Sequence, residues 1–343
     1  MTQLSLVRRG IVACVLAVPA AVCVPASPVV AANPAYTDAT KTDDDFAFQG
    51  EYVGEVPIDG SPMRIGVHVV ALGEGKFDVV AYPGGLPGDG WQPPTRVLGT
   101  GTRAGTGADA VVKIEVRDDG GQTYKSEIRG TDLNVLGPDG QAAAKLAKKT
   151  RKSPTLGAAP PAGATVLFDG KNAEKFLDGK ISPDGLLMEG TTTKDAFGDA
   201  TWHVEFLLPY QPKDRGQGRA NSGVYVQGAY EVQVLDSFGL TGENNECGGI
   251  YSVAAPAVNM CLPPLQWQTY DIDFTAPRFE GDTQVKPARM TVKHNGVVIH
   301  DNVAIEKITP GGPGNGKGSG PLYLQNHGNP VRFRNIWVVP KKS

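Results

Sequence analysis

The chain is short of histidine, cysteine and net charge, and it has hardly any helix-forming runs. Its 33 Lys and Arg nearly balance 36 Asp and Glu, for a formal charge of −3, and the basic residues form no stripe. Nucleic-acid backbones are held by clustered cations, so nucleic acid is not an expected partner. Beyond the first 32 residues no apolar run approaches the ~20 residues of a membrane helix, so no membrane partner is expected once that segment is gone. Five histidines form no His-Glu-x-x-His pair, and the acids show no calcium-loop spacing. Long Ala/Leu/Glu/Lys stretches are scarce beside 44 Gly and 27 Pro, which points to short strands and turns and an all-β fold class.

The first 32 residues have the three regions of an export signal: Arg8-Arg9, the apolar run 11–24, and Ser27-Pro-Val-Val-Ala-Ala32 before a cleavage site. A secreted or periplasmic product is expected. Two of the four cysteines, Cys14 and Cys23, leave with this segment. Cys247 and Cys261 remain, and one disulfide or two buried free thiols would read alike.

The rest divides into a loose polar leader (33–45), a small β domain of unknown role (46–140), a linker (141–163) and a second β domain (164–343). The first β domain carries no catalytic constellation. Its His68 reads as surface or structural, and Tyr82 and Trp91 as exposed aromatics able to meet a sugar. Basic Gln141–Lys152 suggests a short helix or the last turn of that domain. Pro-rich Ser153–Gly163 suggests an extended spacer.

The second domain is dense in alternating strands. Within 201–208, Trp202, Val204, Phe206 and Leu208 face one way and His203 and Glu205 the other. In Tyr230–Ser237, Val232 and Val234 face a core while Glu231 and Gln233 share the opposite side. One bulged residue near Leu235 would turn Asp236 beside them. Asn295-Gly296 is the strongest hairpin turn in the chain. Such patterning predicts a β-sandwich, a jelly roll with a curved sheet. Its groove would gather Glu205, His203, Glu231, Gln233, Tyr323, Gln325 and His327, a polar and aromatic set suited to a sugar. The bland alternative pairs Glu205 or Glu231 with Arg332 or Arg334 as structural ion pairs.

Leu167-Phe-Asp-Gly170, Val204-Glu-Phe206, Asn221-Ser-Gly223, Tyr230–Asp236, Cys247-Gly-Gly-Ile-Tyr251, Trp267-Gln-Thr-Tyr270, Asn295-Gly296 and Gln325–Asn335 occur in this order over about 165–340. Together they resemble the 3-keto-disaccharide hydrolase domain family. The resemblance implies a concanavalin A-like jelly roll and a substrate that is an oligosaccharide or other glycoside oxidised at C3. A C3 ketone acidifies the C2 proton; a base removes it, the C1 substituent is eliminated, and water adds back. On this reading His327 or Glu231 is the base, Arg332 or a divalent cation stabilises the enolate, and Glu231 or Asp236 protonates the leaving oxygen. Asn221, Tyr251, Tyr323 and Gln325 would join Glu205, His203, Gln233 and Arg332 in binding the sugar. Glu205, Glu231 and His327 would be the ligands of any metal. Two departures from the family pattern stand out: Asn326 replaces an expected acid, and Cys261 adds a second thiol. Two rival readings are a retaining glucanase, whose carboxyls Glu231 and Asp236 would lie about 5–5.5 Å apart, and a non-catalytic lectin-like module.

Overall fold

Strand alternation is obeyed where it is clearest: Trp202, Val204 and Phe206 are fully buried beside Tyr270, Ile272 and Phe274 of the neighbouring strand. The computed structural model describes residues 33–341. The export signal, with Cys14 and Cys23, lies outside the described residues. Asn295 and Gly296 both take positive φ, 51° and 82°, as a tight hairpin turn between Ala288–His294 and Val297–Ile305 requires.

Two sheets make the C-terminal sandwich. The five-stranded sheet runs Phe176–Leu177, Thr191–Thr193, Tyr323–Leu324, Ser222–Val226, Tyr230–Val234. In the seven-stranded sheet the order is Leu187–Met188, Arg332–Pro340, Ala200–Leu207, Trp267–Thr275, Ala288–His294, Val297–Ile305, with Thr165–Phe168 also pairing with Arg332–Pro340. Val224, Val232, Val234 and Leu324 of the first sheet meet Trp202, Phe206, Phe274 and Phe333 of the second in one core. Burial of these aliphatic and aromatic faces is the main stabilising term. This is the expected all-β, concanavalin A-like class, preceded by a second β unit.

That unit is a closed barrel of eight antiparallel strands, from Gly50–Ile58 to Ala142–Lys149. The last strand overturns the helical expectation for 141–152: it pairs with both Asp132–Leu136 and Gly50–Ile58. Its alternation puts Leu146 inside, and closing the barrel satisfies backbone groups that would otherwise be an open edge.

The leader is not loose. Tyr36 pairs by backbone with Tyr210, Asp43 accepts from the Tyr210 hydroxyl (2.9 Å), and Asp45 is ion-paired with Arg103 at 2.7 Å. Nor is 153–158 a free spacer. Ser153 and Thr155 bond to Thr269 and Asp271, and the Ala158 carbonyl accepts from Asn335 and Trp337, strapping the segment across the outer face of the seven-stranded sheet. Tyr82 and Trp91 are buried, so neither is an exposed sugar platform. His68 is structural: it bonds Glu51 and Tyr82 and stacks on Phe238 of the sandwich, centroids 4.3 Å apart.

Candidate active site

The outward face of the five-stranded sheet brings together residues nearly 100 positions apart. Tyr225 pairs with Glu231 on one side and Tyr323 on the other, so Tyr323, Tyr225 and Glu231 form one cross-strand row. The Tyr251 amide donates to the Glu231 carbonyl and extends this row beyond the strand edge. Gly223 pairs with Gln233, and the Gln325 amide donates to the Gly223 carbonyl, making a second row. His327 follows two residues later, exposed in a bend where the strand has ended.

Glu231 is the chemical centre of this face. It is only 2 % exposed, and Oε2 lies 2.7 Å from the Tyr225 hydroxyl. That hydroxyl also lies 2.9 Å from the Pro310 carbonyl oxygen, and Gln325 Nε2 donates to it at 3.2 Å. Oε1 extends over Gly223, where any Cβ would collide with it. Among the described residues no donor meets Oε1, and it is not one of the fully enclosed unpartnered atoms, so it keeps a path to solvent or ligand. Burial dominates the titration; the Tyr225 hydrogen bond opposes it but is the smaller effect, and the carboxyl is pushed from its ordinary 4.5 to about 8. The Tyr323 and Tyr251 hydroxyls are half-buried and have no hydrogen-bond partner among the described residues, leaving them free for a hydroxylated ligand.

Asn221 and Gln233 reach this neighbourhood but use their donors internally. Both side-chain amides donate to Gln217 Oε1 at 3.0 Å, and Gln217 in turn donates to the Asn245 carbonyl. They organise the end of the sheet; neither offers a free donor to a sugar.

Four predicted site residues lie elsewhere. His203 and Glu205 belong to the seven-stranded sheet, under the 153–158 strap. His203 Nδ1 is 2.6 Å from Asp271, and Glu205 binds Arg334 (2.7 Å), Asn335 (2.9 Å) and the Gly157 amide. Burial resists charge on Glu205, but His203, Asn335 and Arg334 together hold its pKa down to about 2. Burial likewise opposes the His203 imidazolium, and Asp271 and Glu205 more than offset it, raising the pKa. The Glu205–Arg334 contact is one of the ion pairs the alternative reading named. Arg332 is on that second sheet as well, paired with Glu189 at 2.7 Å. Asp236 is not turned beside Glu231. The strand ends at Val234, and Asp236 forms a buried pair with Arg219 at 2.6 Å, where Arg219 also bonds the Ala71 carbonyl of the barrel. The retaining pair Glu231/Asp236 thus loses one partner to a structural ion pair.

With Glu205 on the other sheet, the ligand set Glu205, Glu231, His327 cannot close around a cation. Among the described residues no three His, Cys, Asp or Glu side chains converge as metal ligands. Cys247 and Cys261 are free thiols, both buried. Among the described residues no helix is long and apolar enough to cross a membrane. A cavity of about 400 Å³ opens at Gly88, Asp89, Lys149, Arg151 and Lys152; none of the predicted site residues lines it, and Lys149 is paired with Asp89 and Arg151 with Glu51.

Tyr225, Gln217 and Pro310 were missed by sequence reasoning. Tyr225 was legible, since it alternates with Val224 and Val226 as Glu231 does with Val232. Gln217 and Pro310 sit in loops, where no period reports a side chain's direction.

Residues 163–339 match the family described as the 3-keto-alpha-glucoside-1,2-lyase-like domain. Similar solved structures include three from Parabacteroides distasonis ATCC 8503, each described as a "putative glycosyl hydrolase". One is 34% identical over 53% of this chain and 85% of its own, with a TM-score of 0.48. A second is 20% identical over 52% of this chain and 99% of its own, TM-score 0.38. Among curated proteins none matches.

Proposed function

Since the chain belongs to the 3-keto-alpha-glucoside-1,2-lyase-like domain family, we propose that it cleaves glycosides of 3-keto sugars at the Glu231 face. The reaction removes the C2 proton beside the ketone, expels the C1 substituent and hydrates the product. The observation that supports this is a single carboxyl, nearly withdrawn from water among tyrosines, with one oxygen open. A carboxyl raised to about 8 exchanges protons near neutral pH, which general acid–base chemistry needs. Tyr323 and Tyr251 offer ring faces and free hydroxyls to the sugar, and the C3 oxygen takes a hydrogen bond from one of these phenols. His327, exposed at the end of the Tyr323 strand, takes the C2 proton. Arg332 has no part in the step, being held by Glu189.

Export through the N-terminal signal would place this activity outside the cytoplasm, and N-terminal sequencing of the released protein should begin at Asn33. The activity is tested with a matched pair, a glucoside and its 3-keto derivative, in deuterated water. Turnover of the keto compound alone, with deuterium entering C2, is expected. Equal cleavage of the plain glucoside, or cleavage with no label at C2, would sink the proposal.

A further inference from the structure

The line of oxygens from Glu231 Oε2 through the Tyr225 hydroxyl to the Pro310 carbonyl has two short contacts, 2.7 and 2.9 Å. Two hydrogen bonds in a row need two hydrogens. Tyr225 has one, the carbonyl none, and Gln325 Nε2 donates to the phenol oxygen at 3.2 Å, where it satisfies a lone pair. The missing hydrogen can come only from the carboxyl. With Glu231 ionised, Tyr225 would turn to it, and the Pro310 oxygen would face a phenol lone pair at hydrogen-bond distance with nothing between them. Among the described residues no lysine, arginine or histidine bonds the Glu231 carboxyl, so none of their cations holds it ionised.

From this arrangement, and resting on the activity proposed above, we propose that Glu231 is the acid of the reaction, never its base, and that Tyr225 is a positioning residue whose hydroxyl switches between Pro310 and Glu231. In the resting site the carboxyl donates through Oε2 to Tyr225, which donates to Pro310. When a glycosidic oxygen is seated at the open side, the carboxyl turns about its Cγ–Cδ bond, so that the protonated oxygen donates to it and the unprotonated one faces Tyr225. After the base has taken the C2 proton, the enolate electrons re-form the C3 carbonyl and the C1–C2 double bond. The C1–O bond breaks, and its electron pair takes the Glu231 proton. The carboxylate left behind accepts a hydrogen bond from the Tyr225 hydroxyl on the oxygen that faces it. Tyr225 therefore bonds more strongly to the product state of the acid than to its resting state, which is the direction that lowers a barrier. Gly311, whose Cβ would crowd the Tyr225 hydroxyl and Gln325, lets the loop carbonyl come close enough to hold the resting position.

The test is leaving-group dependence. Two 3-keto-glucosides are compared, one carrying an acidic nitrophenol and one an alkyl alcohol. Glu231→Gln, an isostere without an acidic proton, should lose about 100- to 10,000-fold on the alkyl glycoside and less than tenfold on the nitrophenyl one. Equal loss on both would make Glu231 a base or a structural group and overturn the proposal; no loss on either overturns it as well. Tyr225→Phe should lower kcat on the alkyl glycoside with little change in KM, and should move the alkaline limb of the pH profile upward, since the carboxylate loses its donor. A merely structural Tyr225 would leave that limb in place. Independently of turnover, the infrared difference between wild type and Glu231→Gln should show a protonated carboxyl at pH 6.5 that disappears above pH 9. A carboxylate at pH 6.5 overturns the proposal. Failure of the wild type on both glycosides would instead remove the activity itself, and the acid's role with it, whatever the carboxyl band shows.

Discussion

Glu231 lies across Gly223, its register neighbour one row over, and its Oε1 occupies the space where any other residue at 223 would place a Cβ. The acid therefore has its open oxygen because the adjacent strand has no side chain there. Gly223→Ala should push the carboxyl off this position. We expect kcat/KM on a 3-keto-glycoside to fall at least tenfold while stability drops by only about 1–3 kcal/mol, measured by steady-state kinetics beside urea unfolding.

The raised Glu231 pKa has a consequence for stability. A carboxyl titrating at about 8 in the folded chain against an ordinary 4.5 binds its proton more tightly when folded. That contribution is whole below pH 4.5 and is lost as pH rises through 8, with a slope of about 1.4 kcal/mol per pH unit between. Urea midpoints measured from pH 5 to 9 should fall more steeply for the wild type than for Glu231→Gln. Parallel curves would contradict the shift.

Asp236 and Arg219 are a buried pair at the seam of barrel and sandwich, and removing one leaves the other unpartnered. Asp236→Ala should cost about 3–5 kcal/mol. Activity per folded molecule should persist, because the proposed chemistry does not use Asp236. A variant that is stable but inactive would return Asp236 to the site and revive the two-carboxylate glycosidase.

Glu205 supports the 153–158 strap, and its replacement should open that strap rather than stop catalysis. Glu205→Gln is expected to cost about 3 kcal/mol, the lower end for a buried pair because Arg334 remains 37% exposed. Proteolysis within 153–158 should quicken. The carboxyl is held down to about 2, so its stabilisation is whole above pH 4.5 and fades as pH falls toward 2. The gap between wild type and variant should narrow over that range.

Much of this could be read along single strands. Val232 and Val234 inward with Glu231 and Gln233 outward, Trp202, Val204 and Phe206 inward, and the Asn295-Gly296 turn all follow from a two-residue period and from which residues tolerate positive φ. Periodicity tells which face of a strand a residue takes, but it cannot say which sheet the strand joins. Glu205 and Glu231 have the same local signature; one lies under a strap beside His203 and Arg334, the other among tyrosines. That difference is decided by pairings between distant segments, such as Tyr225 with Tyr323 and Glu205 with Arg334. Asp236 was misplaced for the same reason, because its partner Arg219 comes from a loop with no period to read. The residue types and their local facing belong to the sequence. The withdrawal of Glu231 from water, on which its proposed role as the acid depends, comes from the packing of strands and loops far apart in the chain.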